Sequence, residues 1–497
     1  MKINSKKNIK KNRKHSRKNV KKNKRSRKNI GKYSRKNIMR GGVLSIQLVD
    51  IIKRLRKNVP TFTTLNIIGN KIGPEGAKAI ADVLSGNTTL KELIISDNEI
   101  DTSGATAIAI ALETNKKSAL ITLDMSYNNI GDDGTKAIAG ALIGNTTLKK
   151  LIIKDNEIGN SGVIAIAKTI ALKTNKNSAL TTLDMSYCNI GKEEAKIIAG
   201  ALKDNKTLTT LHISLNFIGP VGAIAIAAAL ENNKTLITLN ISSNNIGDVG
   251  AIAIAKALEQ NTTLTTLNIN SNDIGPDGAI AIAKALENNT TLKILNIAGN
   301  NIGDDGATAI ARALALNNMN GLKELYINNN IIHINGAQAI AEVLEINLTL
   351  TKLDISGNNI DIAGAEAIAD ALKENTTLRE LNIYDSNIKP VGRKAIADAV
   401  KENTTLTKLD ISFYDKDMQD KLKENKRAQI AAEQFITIKL LQSNPQESKL
   451  PILPGRIAEI LAKNTTEKIL KDYVSYNDRY YINNNTTWEG EDYDLYH

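Results

Sequence analysis

Leu90-Lys91-Glu92-Leu93-Ile94-Ile95-Ser96-Asp97-Asn98-Glu99-Ile100 decides the fold, because the chain keeps returning to it. Leu236, Leu239, Ile241, Asn244 and Ile246 reproduce its spacing, as do Leu264, Leu267, Ile269, Asn272 and Ile274. With the second leucine as a marker, the pattern falls at 65, 93, 123, 151, 183, 211, 239, 267, 295, 325, 353, 381 and 409, which is thirteen repeats. Successive markers lie 28 residues apart in nine cases, 30 in two and 32 in one. Eleven residues past each of the first twelve markers stands a glycine, with Glu194 the single exception. A fixed period of this length signals stacked supersecondary units.

Each repeat reads as a short strand and then a helix. Leu90, Leu93 and Ile95 mark a strand with one buried face. Ala77, Ile80, Ala81 and Leu84 then fall at i, i+3, i+4 and i+7, one stripe of a helix whose small side chains allow close backbone approach. Asn-Thr-Thr-Leu, as at Asn87 to Leu90, closes the helix. An asparagine there is expected to take the left-handed conformation common past helix ends. The asparagine five residues after the marker (Asn70, Asn98, Asn128, Asn156, Asn216) should turn inward and bond backbone groups of adjacent repeats. Cys188, Ser386 and Tyr414 take that place in three repeats. One repeat cannot bury its own apolar face, so stability must come from stacking.

The pattern L-x-x-L-x-L-x-x-N/C-x-L, with a Gly-Ala-x-x-Ala-Ala helix, resembles the ribonuclease-inhibitor type of leucine-rich repeat over about residues 62–414. That resemblance implies an α/β solenoid, a horseshoe with parallel strands on the concave face and helices on the convex face. It is shared with the Ran GTPase-activating protein and the sensor domains of NOD-like receptors, so it implies a fold more than a function. Ribonuclease inhibitor is similar in repeat length but rich in Cys, with Trp and Tyr anchors. One Cys and no Trp in the repeats argue against ribonuclease binding of that kind.

The chain has 497 residues and a formal net charge of +13. Residues 1–40 hold 13 Lys and 6 Arg and no acid, so a basic tail precedes a mildly acidic body. We divide the chain into a basic tail (1–41), an N-terminal capping helix (42–60), leucine-rich repeats (61–414), a C-terminal helical cap (415–474) and a Tyr-rich acidic tail (475–497). Leu44, Leu48, Ile51, Ile52 and Leu55 give the first cap an apolar side. Met418, Leu422, Ile430, Phe435, Ile438 and Leu441 do so for the second, and a further short helix is read from Gly455 to about Val474. Residues 1–41 cannot bury enough surface to fold alone. Their charge suits nonspecific polyanion contact, a nuclear address or an anionic membrane. A single cysteine excludes a disulfide framework and fits a reducing, intracellular setting, in the cytoplasm of the organism or of a host.

A search for catalysis finds no HExxH, no phosphate loop and no triad among the four His. Neither a cofactor nor a metal is expected, and we read the chain as no enzyme. Cys188, on the asparagine ladder, reads as a buried structural thiol. The recurring Asn-Thr-Thr reads as a loop element and not as a glycosylation site. Function then rests on the strand face, where residues one before, one after and three after the marker should point outward. His212, the pairs Glu324 with Tyr326 and Glu380 with Tyr384, and Tyr127 and Tyr187 at the strand-end edge are the candidate partner-binding residues. Asp124, Asp184, Asp354 and Asp410 add negative charge there. The leading reading is a non-enzymatic scaffold that binds a protein through its concave face. Two alternatives stay open: a GTPase-activating protein of the Ran-activator type, and a ubiquitin-ligase adaptor acting through Leu450–Leu461.

Overall fold

Every marker leucine is the central residue of a three-residue parallel strand. The computed structural model describes residues 39–40, 43–44, 46–171, 179–317, 321–413 and 415–443. These fall into two units, one ending at Asn244 and the other starting at Asn245. In the first unit seven strands, from Thr64–Asn66 to Thr238–Asn240, lie side by side in chain order. Leu65, Leu93, Leu123, Leu151, Leu183, Leu211 and Leu239 stand opposite one another in register. The second unit repeats this with six strands, from Thr266–Asn268 to Lys408–Asp410. Its register runs Leu267, Leu295, Leu325, Leu353, Leu381 and Leu409. The marker leucines are buried, the most exposed being Leu409 at 9% in the last strand. The α/β leucine-rich-repeat architecture therefore holds within each unit.

A helix follows each strand but the last within its repeat, as in Gly73–Leu84 and Gly303–Leu316, and packs against the helix of the neighbouring repeat. The glycine eleven residues past the marker sets how close. A Cβ on Gly104 would stand 2.9 Å from the Cβ of Ala77, and one on Gly364 would stand 2.8 Å from that of Ala337. Such separations are shorter than real Cβ contacts, so any larger residue there must push neighbouring helices apart.

The helices begin in two ways. Where a left-handed glycine precedes the first turn, as at Gly131, Gly219 and Gly303, its N–H donates to an asparagine carbonyl of the next repeat at 3.0–3.2 Å. Asp101 caps the helix of its own repeat, accepting from Ser103 N and Gly104 N, whereas in three further repeats the carboxylate that closes the helix start comes from the preceding repeat. Asp132 Oδ1 accepts from Gly159 N and Gly162 N, both at 2.8 Å. Asp248 does the same for Gly275 and Gly278, and Asp304 for His333 and Gly336. Glu194 is explained by this scheme. Asn160 stands in the preceding repeat where such an aspartate would be, and Glu194 Oε2 accepts from Gly191 N of its own repeat at 3.1 Å.

Two asparagine ladders flank the strands. On the first, Asn98 Nδ2 donates to Ile67 O and Ser96 O, while its Oδ1 accepts from Asn70 N and Ile72 N. Cys188 interrupts this ladder, its Sγ lying 3.4 Å from Ser186 O. The second ladder is made by the Asn-Thr-Thr asparagines, and it corrects the expectation of a left-handed helix end. Asn261, Asn375 and Asn403 have φ between −81° and −68° and ψ between 124° and 137°, an extended conformation. The reason is the side chain. Asn375 Nδ2 donates to Leu344 O at 2.5 Å, across to the previous repeat, and its Oδ1 accepts from Thr377 N and Leu378 N. With Asn87, Asn261, Asn375 and Asn403 at most 3% exposed, these sequons are interior hydrogen-bonding parts. The left-handed residues lie elsewhere, four positions past the marker, where the chain leaves the strand: Asp97, Tyr127, Tyr187 and Leu215 have φ of 53–56°.

At the start, Met39–Arg40 pairs antiparallel with Val43–Leu44, and the Ile46–Arg56 helix buries Leu48 and Leu55. At the end, the Lys416–Ser443 helix buries Met418 and Leu422. Its Asn425 donates to Asn403 O and Leu406 O, adding one more rung to the second ladder. Residues 1–38 of the basic tail, Tyr414, the helix read from Gly455 to Val474, the segment Leu450–Leu461 and the tail 475–497 lie outside the described residues.

Burial pushes the Asp132 carboxyl up, but hydrogen bonds from the Ser161 side chain and from Gly162 and Gly159 N–H outweigh it and hold the group below the usual carboxylate range. A depressed folded pKa gives stability that is present above about pH 4 and lost as pH falls through the folded value. Asp132→Ala should therefore cost about 1–2 kcal/mol in urea unfolding at neutral pH. The gap from the parent should close as the medium is acidified, and a gap independent of pH would refute the cap. Asn375→Ala leaves one carbonyl and two N–H groups unpaired, so a loss of about 1–3 kcal/mol is expected in the same measurement.

Candidate docking surface

On the strand face of the first unit, four neighbouring repeats bring together residues far apart in sequence. Asp184 and His212 are lateral partners in register. Lys150 lies on the strand beside them, and Lys154 stands just past that strand's end. The ammonium of Lys154 lies 5.3 Å from the centre of the Tyr127 ring, a cation–π distance. Burial works against the charge of Lys154, yet Tyr127 and then Asp184 and Asp155 outweigh it and hold its pKa above the ordinary lysine value. His212 is shifted the other way. Its burial lowers the pKa most, Asp184 opposes this, and the positive charges of Lys150 and Lys154 add to the lowering.

In the second unit, Tyr326 Oη donates to Glu324 Oε2 at 2.6 Å, joining one of the two pairs read from sequence. Lys352 sits on the next strand with its ammonium 5.1 Å from the Tyr326 ring centre and 3.5 Å from Glu380 Oε2. Glu380 is thus engaged with Lys352, whereas Tyr384, 52% exposed, stands at the strand end four residues away. The second sequence pair is not brought together. Glu324, Lys352, Glu380 and Lys408 stand opposite one another in register as a row of alternating charge.

One expectation needs correction. Ser214, Ser242 and Ala298, three residues past their markers, were expected to point outward but are 8%, 7% and 4% exposed. Neighbouring repeats close over such short side chains, as Ser214 Oγ donating to Ser186 Oγ at 2.9 Å shows. Sequence reasoning missed Lys154 and Lys352, whose value lies in the aromatic ring of an adjacent repeat. It also missed Leu215 and Phe217, which are 41% and 67% exposed at turn positions. The signal for Phe217 was present, since the matching place in neighbouring repeats is polar (Asn189, Asn245).

Cys188 is fully buried, and burial pushes its thiol far above the ordinary cysteine value. Among the described residues no group of three or more His, Cys, Asp or Glu is placed to hold a metal ion. No helix among them is long and apolar enough to cross a membrane. Near the end of the array, where Ser386 replaces the ladder asparagine, a recess of about 230 Å³ opens between Asp385, Asn387, Lys389 and Arg393. Arg393 Nη1 closes part of it by donating to Ser412 O at 2.7 Å.

These repeats match the family described as "Leucine Rich repeat" in eleven segments, residues 60–81, 86–109, 118–139, 144–167, 176–195, 204–227, 232–255, 260–283, 288–311, 347–369 and 374–397, just over half of the chain. The chain belongs to the leucine-rich-repeat family, and its repeats are of the ribonuclease-inhibitor type. The repeats around Leu325 and Leu409 fall outside those segments but form the same strands. The chain is similar to Protein CARMIL of Dictyostelium discoideum, 32% identical over 128 residues, 23% of this chain and 12% of that protein. It is similar to the ribonuclease inhibitor of Sus scrofa, 29% identical over 26% of this chain and 28% of the inhibitor. It also resembles RAN GTPase-activating protein 2 of Arabidopsis thaliana, 29% identical over 23% and 21% of the two chains. The match thus spans less than a third of each relative. Among solved structures, the actin-binding site 2 of leiomodin-1 shares 28% identity over 32% of this chain and 88% of its own, with a TM-score of 0.27. An internalin from Listeria monocytogenes shares 16% over 74% and 94%, with a TM-score of 0.37.

The lowered pKa of His212 has a consequence for stability. Unfolded histidine titrates near about pH 6.5. Between that value and the lower folded one, the unfolded chain binds more protons, so stability should fall as pH drops through this window. His212→Gln is expected to remove that decrement in urea titrations run at successive pH values. A parent and variant with parallel profiles would refute it.

Proposed function

We propose that the chain is a protein-docking scaffold and that its strand face carries the contact residues. The observation behind this is the pair of aromatic–cation contacts, Tyr127 with Lys154 and Tyr326 with Lys352, standing on a face whose backbone is fixed by strand pairing. Tyrosines held on a rigid surface make good anchors, because little side-chain entropy is lost when a partner covers them. His212 and Tyr187 widen the surface of the first unit, and Glu380 and Tyr384 that of the second, where Glu324 is bonded to Tyr326. The buried lone thiol agrees with an intracellular, reducing setting. Residues 1–41 would add polyanion contact that weakens steeply with salt.

A second reading, activation of a GTPase, draws on the likeness to RAN GTPase-activating protein 2. Hydrolysis by small GTPases unchanged on adding the full chain would end it.

For the scaffold, a photoreactive phenylalanine analogue placed at Tyr326 should cross-link to a partner that a tagged full chain also captures. The same group at Ile280, 43% exposed on the Pro276–Leu286 helix, should not. Cross-linking from position 280 alone would move the contact to the helices and sink the reading.

A further inference from the structure

The turns that leave the strands of the first unit carry a second pattern, which shares Tyr127 and Tyr187 with the strand-face reading and otherwise lies beyond it. At four and six residues past the marker, the repeats around Leu93 and Leu151 present Asp97, Glu99, Asp155 and Glu157. The repeats around Leu123, Leu183 and Leu211 present Tyr127, Tyr187, Leu215 and Phe217 at these places, between 41% and 67% exposed. Carboxylates and apolar groups thus alternate over the first four of these repeats, and the Leu211 repeat adds a second apolar level beside Tyr187, at a strand-to-strand spacing of about 5 Å. Neither position holds Lys or Arg in these five repeats, while Lys71, six past Leu65 in the repeat before them, pairs with Glu99 at 2.6 Å, and the charge of Asp155 helps to hold Lys154.

Two features separate this edge from an ordinary turn surface. First, Tyr187 and Leu215 are left-handed at φ 56°, a conformation that disfavours bulky side chains and is usually left to Gly, Asn or Asp. Second, the backbone under them is fixed. Tyr187 N donates to Ser214 O, Leu215 N to Ser242 O and Phe217 N to Ile190 O, all at 2.8–2.9 Å. The exposed groups are held in place before anything binds, which lowers the entropy lost on docking.

We propose that this edge docks a cationic segment of a partner protein. Its apolar side chains would cover Tyr187, Leu215 and Phe217 while its Lys or Arg face Asp155, Glu157 and the acids at 97 and 99. Charge complementarity selects the occupant: four carboxylates against the single turn cation Lys71, which pairs with Glu99, leave an acidic edge that favours basic residues and repels acidic ones. The exposed apolar run asks for more than charge, since a purely basic segment would leave it uncovered. This surface goes beyond the strand-face reading and is tested apart from it, because the variants below leave Tyr326, Lys352 and Glu380 untouched.

The test measures binding of the full chain to a short synthetic peptide of alternating Lys and Leu by fluorescence anisotropy. A Lys–Gly peptide of equal charge and a Glu–Leu peptide serve for comparison. Leu215→Ser with Phe217→Ser should weaken binding about tenfold or more. Asp155→Asn with Glu157→Gln should weaken it several-fold and flatten its salt dependence. Ile280→Ser, an exposed apolar change on a helix of the second unit, should leave it unchanged. Thermal unfolding of each variant checks that the fold survives. Equal affinity in parent and both edge variants, or equal binding of the Lys–Gly peptide, overturns the proposal. So does carbodiimide cross-linking that joins Asp155 or Glu157 to lysines of residues 1–40 or of a second copy, since the occupant would then be the chain itself.

Discussion

A strand of three residues offers its neighbour few backbone hydrogen bonds, and a solenoid built on such strands depends on what lies beyond their ends. Here two rows of asparagine amides meet that need, one at each end of the strands. The amides use their donors on the previous repeat and their acceptors on nearby N–H groups, except that the Oδ1 of Asn156 is buried without a partner. Asn98 and Asn375 are the clearest cases. A buried carbonyl or N–H without a partner is costly, so these side chains bind the repeats together more than their small size suggests. The aliphatic core adds strength that is nearly the same at every level: a marker leucine, an isoleucine two residues on (Met125 and Met185 in two repeats), and in most repeats a glycine seated against an alanine.

Because the interior is so uniform, it has little room to encode recognition. Distinctness is confined to positions that the repeat leaves free, one residue either side of the marker and three, four or six beyond it. Tyr127, Tyr187, His212, Tyr326 and Phe217 all occupy such places. The framework supplies rigid spacing, and the variable positions supply chemistry. The perturbed charges of Lys154 and His212 come from this crowding, since strand pairing sets their neighbours whether or not those neighbours suit them.

The marker spacing made the strand centres, the glycine contacts and the inward asparagines legible, because each recurs at a fixed place in almost every repeat. What sequence did not disclose depends on residues about one repeat apart. The Tyr127–Lys154 and Tyr326–Lys352 contacts are of this kind, and so is the cap that Asp132 lends to Gly159 and Gly162. The conformation of the Asn-Thr-Thr asparagines was misread for the same reason: a local rule about helix ends gave way to a hydrogen bond with the previous repeat. Of the site residues, the Glu324–Tyr326 pair was visible because both stand on one strand. The pairing of Glu380 with Lys352 was not, since register alone creates it.

The borrowed helix caps make the order of repeats matter. A repeat whose helix follows Gly159 or Gly275 is complete only behind one that carries aspartate as the second residue of its own helix. Placed after the Leu93 repeat, which has Thr102 at the matching place, it would start with two donors facing nothing. The array is thus closer to a sentence with agreement between successive words than to a string of identical beads. Genetic shuffling could lengthen or shorten it without penalty only at junctions where giver and receiver still match.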